Sequence, residues 1–122
     1  MRPLSPSAMT LLAAFLAMSL MAGEARAHAF LDHAEPRVGN KVASAPREVT
    51  LWFNQKLEAA FSSIAVTGPS GQRVDAGKAR VSGNQVSVSL KPGGVGTYHV
   101  NWHVLSADTH TTDGSFTFEV GP

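Results

Sequence analysis

Short segments in which apolar and polar residues alternate follow one another through most of this chain. A period of two places every second side chain on the same face of a β-strand, and no useful length shows the 3.6-residue period of a helix. Glycine and proline clusters such as 91–96 separate the segments, as expected for loops. Seven or eight short strands leave no room for helical crossovers, so the sequence predicts an all-β, antiparallel sandwich or small barrel. The predicted strands are 29–34, 49–54, 62–67, 73–75, 78–81, 85–90, 97–107 and 115–120.

The predicted strand 97–107 is the longest and should contribute much of the core. One set of alternate side chains, which includes Tyr98 and Trp102, is expected to face inward, and the other set, which includes His99 and His103, to face outward. Trp52 is likewise expected to be a core aromatic. The following segment, 108–114, should turn the chain and end at the turn-like pair Asp113-Gly114. Segment 55–61 is expected to form at most one helical turn.

Residues 1–27 have the three-part pattern of a secretory signal peptide. Arg2 gives a positive start, 8–22 is a nearly unbroken apolar run, and 25–27 is a small-x-small cleavage motif. This run is shorter than the roughly 20 residues of a membrane span. Ala27-His28-Ala29 is also small-x-small, so cleavage after Ala29 is an alternative. We expect cleavage after Ala27, export, and one small domain over 28–122.

The side chains that remain after such cleavage restrict the chemistry. The chain has no Cys, and its four Met residues all lie within 1–27, so thiolate and thioether ligands and Cys nucleophiles are excluded downstream. Segment 28–122 carries eight Lys and Arg against eight Asp and Glu, which gives no basic surface for nucleic acid. A metal would have to be held by nitrogen and oxygen, which suits Cu(II), Ni(II) or Zn(II) and disfavours Cu(I).

Three residues could supply such a site. Asp108 and His110 are two residues apart, so their side chains leave the same face of an extended chain. If cleavage makes His28 the first residue, it offers its α-amine and its imidazole to one ion. The α-amine and imidazole of His28 and the imidazole of His110 would give three nitrogen donors in a roughly T-shaped, planar arrangement, to which Asp108 adds an oxygen donor. Cu(II) prefers a tetragonal arrangement of nitrogen and oxygen, so we expect one Cu(II) per chain.

Several separated segments form a specific pattern when they are taken together: His28, Glu35-Pro36-x-x-Gly39, Leu51-x-Phe53, 96–102, 106–110 and Gly114-Ser115-Phe116-x-Phe118. In these segments the chain resembles the CopC family of periplasmic copper-binding proteins. The resemblance implies a cupredoxin-like, Greek-key β-barrel in the periplasm with a Cu(II) site at His28, Asp108 and His110, and a CopD-like inner-membrane copper importer as partner. Founding members carry a Met-rich Cu(I) loop, which this chain lacks, so it resembles a subgroup with a Cu(II) site alone.

Other interpretations compete with a copper-sequestering or copper-delivering protein that is not an enzyme. A copper site with an N-terminal His also resembles that of lytic polysaccharide monooxygenases, although a domain this small leaves little area for a substrate platform. A metal-free Ig-like interaction module is the third possibility. Among the remaining histidines, His33 could approach the site as an outer-shell group. His99 and His103 are about 13 Å apart along a strand, so they cannot chelate one ion together and are expected to be surface residues.

Overall fold

Two four-stranded β-sheets packed face to face make up the computed structural model, which describes residues 29–122. The first sheet has the order β1-β3-β6-β5 and the second β2-β8-β7-β4. Strand pairing is antiparallel except between β2 and β8, which are parallel. The predicted all-β sandwich is confirmed, with eight strands. They are β1 (Leu31–Glu35), β2 (Lys41–Val42), β3 (Glu48–Phe53), β4 (Ser63–Thr67), β5 (Asp75–Ser82), β6 (Gln85–Leu90), β7 (Gly96–Leu105) and β8 (Thr111–Val120).

Alternating side chains of both sheets fill the space between them. Tyr98 of β7 and Phe118 of β8 stack in the core with ring centroids 5.0 Å apart, and both are at most 1% exposed. Trp102 is half-buried and packs edge-on against Phe53 of the other sheet, also at 5.0 Å. Trp52, in contrast, is not part of the core: its ring stacks on His33. The inward set predicted for the longest strand is therefore correct, and the core role predicted for Trp52 is wrong.

The structure differs from the sequence prediction most at β8. This strand begins at Thr111 and pairs with β7 along its whole length, so Gly114 lies opposite Trp102 within the sheet rather than at the end of a turn. The turn is confined to the few residues between Leu105 and Thr111. A Cβ at Gly114 would lie 2.1 Å from the Trp102 ring, so the glycine provides space for the indole. Glycine in a strand often marks such a close approach.

Two further elements differ from the prediction because they depend on contacts distant in sequence. The pieces predicted at 73–75 and 78–81 are replaced by the single strand β5, which bulges between Ala76 and Arg80. Strand β2 has two residues and was not predicted, since its pairing with the end of β8 is not a local property. Segment 55–61 contains one turn of 3₁₀ helix, Ala59–Phe61. No helix in the described range 29–122 has the length and hydropathy needed to cross a membrane.

Candidate metal centre

A tight hairpin loop joins β7 to β8 and carries Asp108 and His110. The amide of Thr109 donates to the Ser106 carbonyl at 2.9 Å, and the amide of Ser106 donates to the His110 carbonyl at 2.9 Å. Thr109 has a φ of 74°, which is the left-handed conformation usual at the last position of a three-residue hairpin loop. These bonds close the loop at both ends, so the backbone between the two candidate ligands is defined by local hydrogen bonding.

The loop brings the side chains of Asp108 and His110 together. Asp108 Oδ1 lies 3.4 Å from His110 Nδ1, and the two side chains are 37% and 47% exposed. The carboxylate and the imidazole are thus adjacent and accessible to a solvated ion. The sequence predicted this pairing from an extended chain, whereas the structure achieves it through the left-handed residue between them.

Ser106 supports the carboxylate from beneath. It is fully buried, and its hydroxyl lies within hydrogen-bond distance of Asp108 Oδ1 and 3.0 Å from the His110 carbonyl. The hydrogen bond from Ser106 is the main reason why the pKa of Asp108 lies below its usual value, with smaller contributions from the amide and ring of His110. The carboxylate is consequently ionised at neutral pH and acts as an acceptor and a potential ligand.

Neighbouring backbone holds the loop against the body of the domain. The amide of Ala107 donates to the Lys56 carbonyl at 2.9 Å, and the amide of Glu58 donates to the Leu105 carbonyl at 2.8 Å. Between these bonds, Leu57 forms a β-bridge with Ser106 and is 3% exposed. The segment that follows β3 therefore anchors the hairpin loop on a packed surface.

The third predicted ligand, His28, lies outside the described residues. Its chain neighbour Ala29 is 1% exposed, and its carbonyl accepts a hydrogen bond from the Thr112 hydroxyl at 3.0 Å. Thr112 is the second residue of β8 and follows His110 by two positions. The start of the described chain is therefore fastened beside the loop that carries the other two candidate ligands.

Two of the remaining histidines have partners elsewhere. His33 stacks on Trp52 with ring centroids 4.4 Å apart, and its Nδ1 lies 2.7 Å from the Asp32 carboxylate. His103 makes a short contact with Asp113, its cross-strand neighbour. Both side chains are exposed, as is that of His99. Within residues 29–122, no group of three or more His, Asp or Glu side chains could hold a metal ion, so the described residues bring together two of the three predicted ligands.

The donors in the loop are one carboxylate oxygen and one imidazole nitrogen, with a neutral hydroxyl behind them. Oxygen and nitrogen donors suit Cu(II) or Zn(II), whereas Cu(I) prefers sulfur. No sulfur-containing residue occurs after position 21. The described part of the site thus fits a divalent copper ion chemically, and two protein donors are too few to complete its coordination.

Comparisons with known proteins agree on one family. A sequence model of the CopC domain matches residues 31–121. Protein YobA of Escherichia coli K12 is 37% identical over 114 residues, which cover 88% of this chain and 90% of YobA. Copper resistance protein C of Pseudomonas syringae pv. tomato is 36% identical over 115 residues, with 87% and 90% covered. The crystal structure of CopC from Methylosinus trichosporium OB3b superposes with a TM-score of 0.72 at 33% identity, covering 78% of this chain and 95% of that one.

Proposed function

This chain belongs to the CopC domain family, and on that basis we propose that it binds one Cu(II) ion per chain in the periplasm, for sequestration or delivery. The proposed ligands are the α-amine and imidazole of an N-terminal His28, the imidazole of His110 and the carboxylate of Asp108. Asp108 and His110 are adjacent in the hairpin loop, and their donor atoms are those that Cu(II) prefers.

Family membership gives the protein a copper-related role and no catalytic one. One relative, of which the match covers 90%, is named copper resistance protein C. This agrees with the prediction that the chain is not an enzyme, and it favours copper binding over both the polysaccharide-oxidase and the metal-free alternatives. A CopD-like importer as the recipient of the ion stays a prediction.

The observation that carries the proposed site is the bond between the Ala29 carbonyl and the Thr112 hydroxyl, at 3.0 Å. Ala29 is bonded directly to residue 28, and consecutive Cα atoms are about 3.8 Å apart. Two residues of strand, about 6.6 Å, separate Thr112 from His110. These short separations support the proposal that an N-terminal His28 shares one ion with the hairpin loop.

The environment of Ala29 also favours cleavage after Ala27 over cleavage after Ala29. Ala29 is 1% exposed, so its removal would open the end of the sandwich and leave the Thr112 hydroxyl without its acceptor. The next amide, that of Phe30, donates to Asn54 Oδ1 at 2.7 Å, while Phe30 accepts from the Asn54 amide at 3.0 Å. Cleavage after Ala27 preserves all of these contacts and leaves His28 at the N-terminus.

The proposal is tested by comparing a chain that begins at His28 with one that carries an additional glycine before it. Cu(II) affinity is measured by competition with a chromophoric chelator, and coordination by electron paramagnetic resonance. We expect one tightly bound Cu(II) in the first chain and at least a 100-fold loss of affinity in the second, because the added peptide bond removes the terminal amine as a ligand.

Two controls make the comparison specific. A glycine added after Pro122 extends the chain equally without touching the site and should leave the affinity unchanged. Substitution H110A should weaken binding in the chain that begins at His28. Equal affinity of the two N-terminal forms would refute the role of His28, and the absence of stoichiometric Cu(II) binding by the correctly processed chain would refute the proposed function as a whole.

A further inference from the structure

Ser106 is a buried side chain that contacts the candidate ligand Asp108, and its residue type alone suggests no role in the site. We propose that Ser106 is a positioning residue of the copper site: its hydroxyl holds one oxygen of the Asp108 carboxylate so that the other oxygen is presented to the ion. This inference rests on the proposed function and adds to it the residue that determines how Asp108 binds.

The Ser106 hydroxyl has two possible acceptors and one hydrogen to donate. It lies close to Asp108 Oδ1 and 3.0 Å from the His110 carbonyl. An ionised carboxylate is the stronger acceptor, and the His110 carbonyl already receives the Ser106 amide at 2.9 Å. The hydroxyl hydrogen therefore goes to Asp108, and its loss would leave the His110 carbonyl satisfied but the carboxylate without its main partner.

The contacts of Asp108 distinguish its two oxygens. Oδ1 receives the Ser106 hydroxyl and lies 3.4 Å from both the amide and the ring Nδ1 of His110. Oδ2 has no hydrogen bond within the part of the chain that the structure describes. Rotation about the terminal carboxylate bond has only a broad preference of its own, so these contacts determine which oxygen faces outward. Oδ2 is left for a metal ion.

Ser106 can hold the carboxylate because it is itself immobile. It is fully buried, and it is bridged to Leu57 on the neighbouring segment. Its amide and carbonyl also close the two ends of the hairpin loop, through His110 and Thr109. A side chain anchored in this way orients a ligand at little entropic cost when the ion binds, which is the usual function of a hydrogen-bonded group behind a metal ligand.

The test compares S106A with S106T, both in a chain that begins at His28. Loss of a group that orients a ligand typically costs about 10- to 100-fold in metal affinity, so we expect S106A to bind Cu(II) about 10-fold more weakly and to show an altered copper hyperfine splitting. S106T retains the hydroxyl and should restore the hyperfine splitting of the original protein. Substitution S87A is the matched control, because Ser87 is also buried and its hydroxyl lies 3.0 Å from that of Thr50, its cross-strand neighbour in the first sheet and away from the hairpin loop.

Stability and metal binding are measured separately in each variant. Thermal unfolding of the metal-free protein reports any general loss of packing, which S87A should share, whereas the affinity and the spectrum should change in S106A alone. Unchanged affinity and hyperfine splitting in folded S106A would overturn the inference while leaving the proposed function intact. Failure of the original chain to bind Cu(II) would refute both, and is recognised before any variant is made.

A second measurement covers the case in which S106A does not fold. In the metal-free original protein, a buried hydroxyl bonded to a carboxylate should exchange its proton slowly with water and give a resolved proton resonance for Ser106. Substitution D108A should abolish this resonance. A Ser106 hydroxyl proton that exchanges as fast as that of an exposed serine would refute the inference without any substitution at Ser106.

Discussion

Substitution of Gly114 with alanine tests the packing that aligns β7 and β8 below the hairpin loop. An ideal Cβ at position 114 lies 2.1, 2.5 and 2.9 Å from the Cζ2, Cε2 and Cη2 atoms of Trp102. Favourable contacts between carbon atoms lie at about 3.5 to 4.0 Å, so the indole or the backbone has to move by about 1.4 Å. The indole is rigid, and Phe53 packs against it at 5.0 Å, so the ring has little freedom to move.

Overpacking of this kind typically costs about 1 to 3 kcal/mol. We expect G114A to lie near the upper end, at about 2 to 3 kcal/mol, because the overlap is with a rigid ring. For a domain of this size, such a loss lowers Tm by roughly 10 to 20 °C. The free energy of unfolding is measured by urea denaturation of the metal-free protein. The slope of this free energy against urea concentration is compared between G114A and the original protein, and equal slopes show that the compactness of the folded and unfolded states is unchanged.

A double-mutant cycle with W102L identifies the cause. If the clash with the indole is responsible, G114A should cost close to nothing in the W102L background, so that the magnitude of the coupling energy is about 2 to 3 kcal/mol. Equal costs of G114A in both backgrounds would show that the glycine is needed for the strand backbone and not for the indole. A stable G114A variant would refute the reasoning altogether.

Two further predictions concern the loop and an edge of the sandwich. Thr109 adopts a left-handed φ of 74°, which disfavours β-branched residues and is tolerated by asparagine; T109N should therefore stabilise the metal-free domain by about 0.5 to 1 kcal/mol in urea denaturation, and a clear destabilisation would contradict this. Asp75 receives two hydrogen bonds from Arg73, at 2.6 and 2.8 Å, and one from the Val66 amide at 2.8 Å, and the Arg73 bond is the main reason why the pKa of Asp75 is lowered. A carboxyl whose pKa is lower in the folded state stabilises the fold above its unfolded pKa, about 3.9, and loses this effect as the pH falls through its folded pKa. D75N should thus cost about 1 to 2 kcal/mol at pH 7 and progressively less below about pH 4; a cost that is equal at pH 7 and pH 3 would contradict the assignment.

Strands that are determined by their local sequence could be predicted, whereas strands that depend on contacts distant in sequence could not. Strand β6 was predicted with both of its ends because apolar and polar residues alternate along it and Ser82-Gly83-Asn84 precedes it as a turn. The start of β8 was missed because residues 111–114 are polar or glycine and resemble a turn. Their strand conformation follows from pairing with β7, and the role of Gly114 from a ring on the neighbouring strand, neither of which is visible in the local sequence.

The candidate site was likewise predictable only in those features that the local sequence contains. Asp108 and His110 could be proposed from residue type and spacing, and the structure places them together. The contact between Ser106 and the carboxylate could not, because Ser106 falls near the end of the predicted strand 97–107 and only the tertiary structure shows its buried hydroxyl against Asp108. The pairing of His103 with Asp113 was likewise hidden, since it depends on the register between two strands.

The two halves of the proposed site depend on different parts of the chain. The hairpin loop is closed by its own hydrogen bonds and by the anchor at Leu57, so contacts among the described residues define the backbone at Asp108 and His110. The N-terminal half depends on Ala29, which is buried and whose carbonyl accepts a hydrogen bond from Thr112 beside the loop. If His28 is the N-terminal ligand that we propose, the fold relies on Ala29 and copper binding on His28, so that cleavage of the bond between Ala27 and His28 would control copper binding without altering the scaffold.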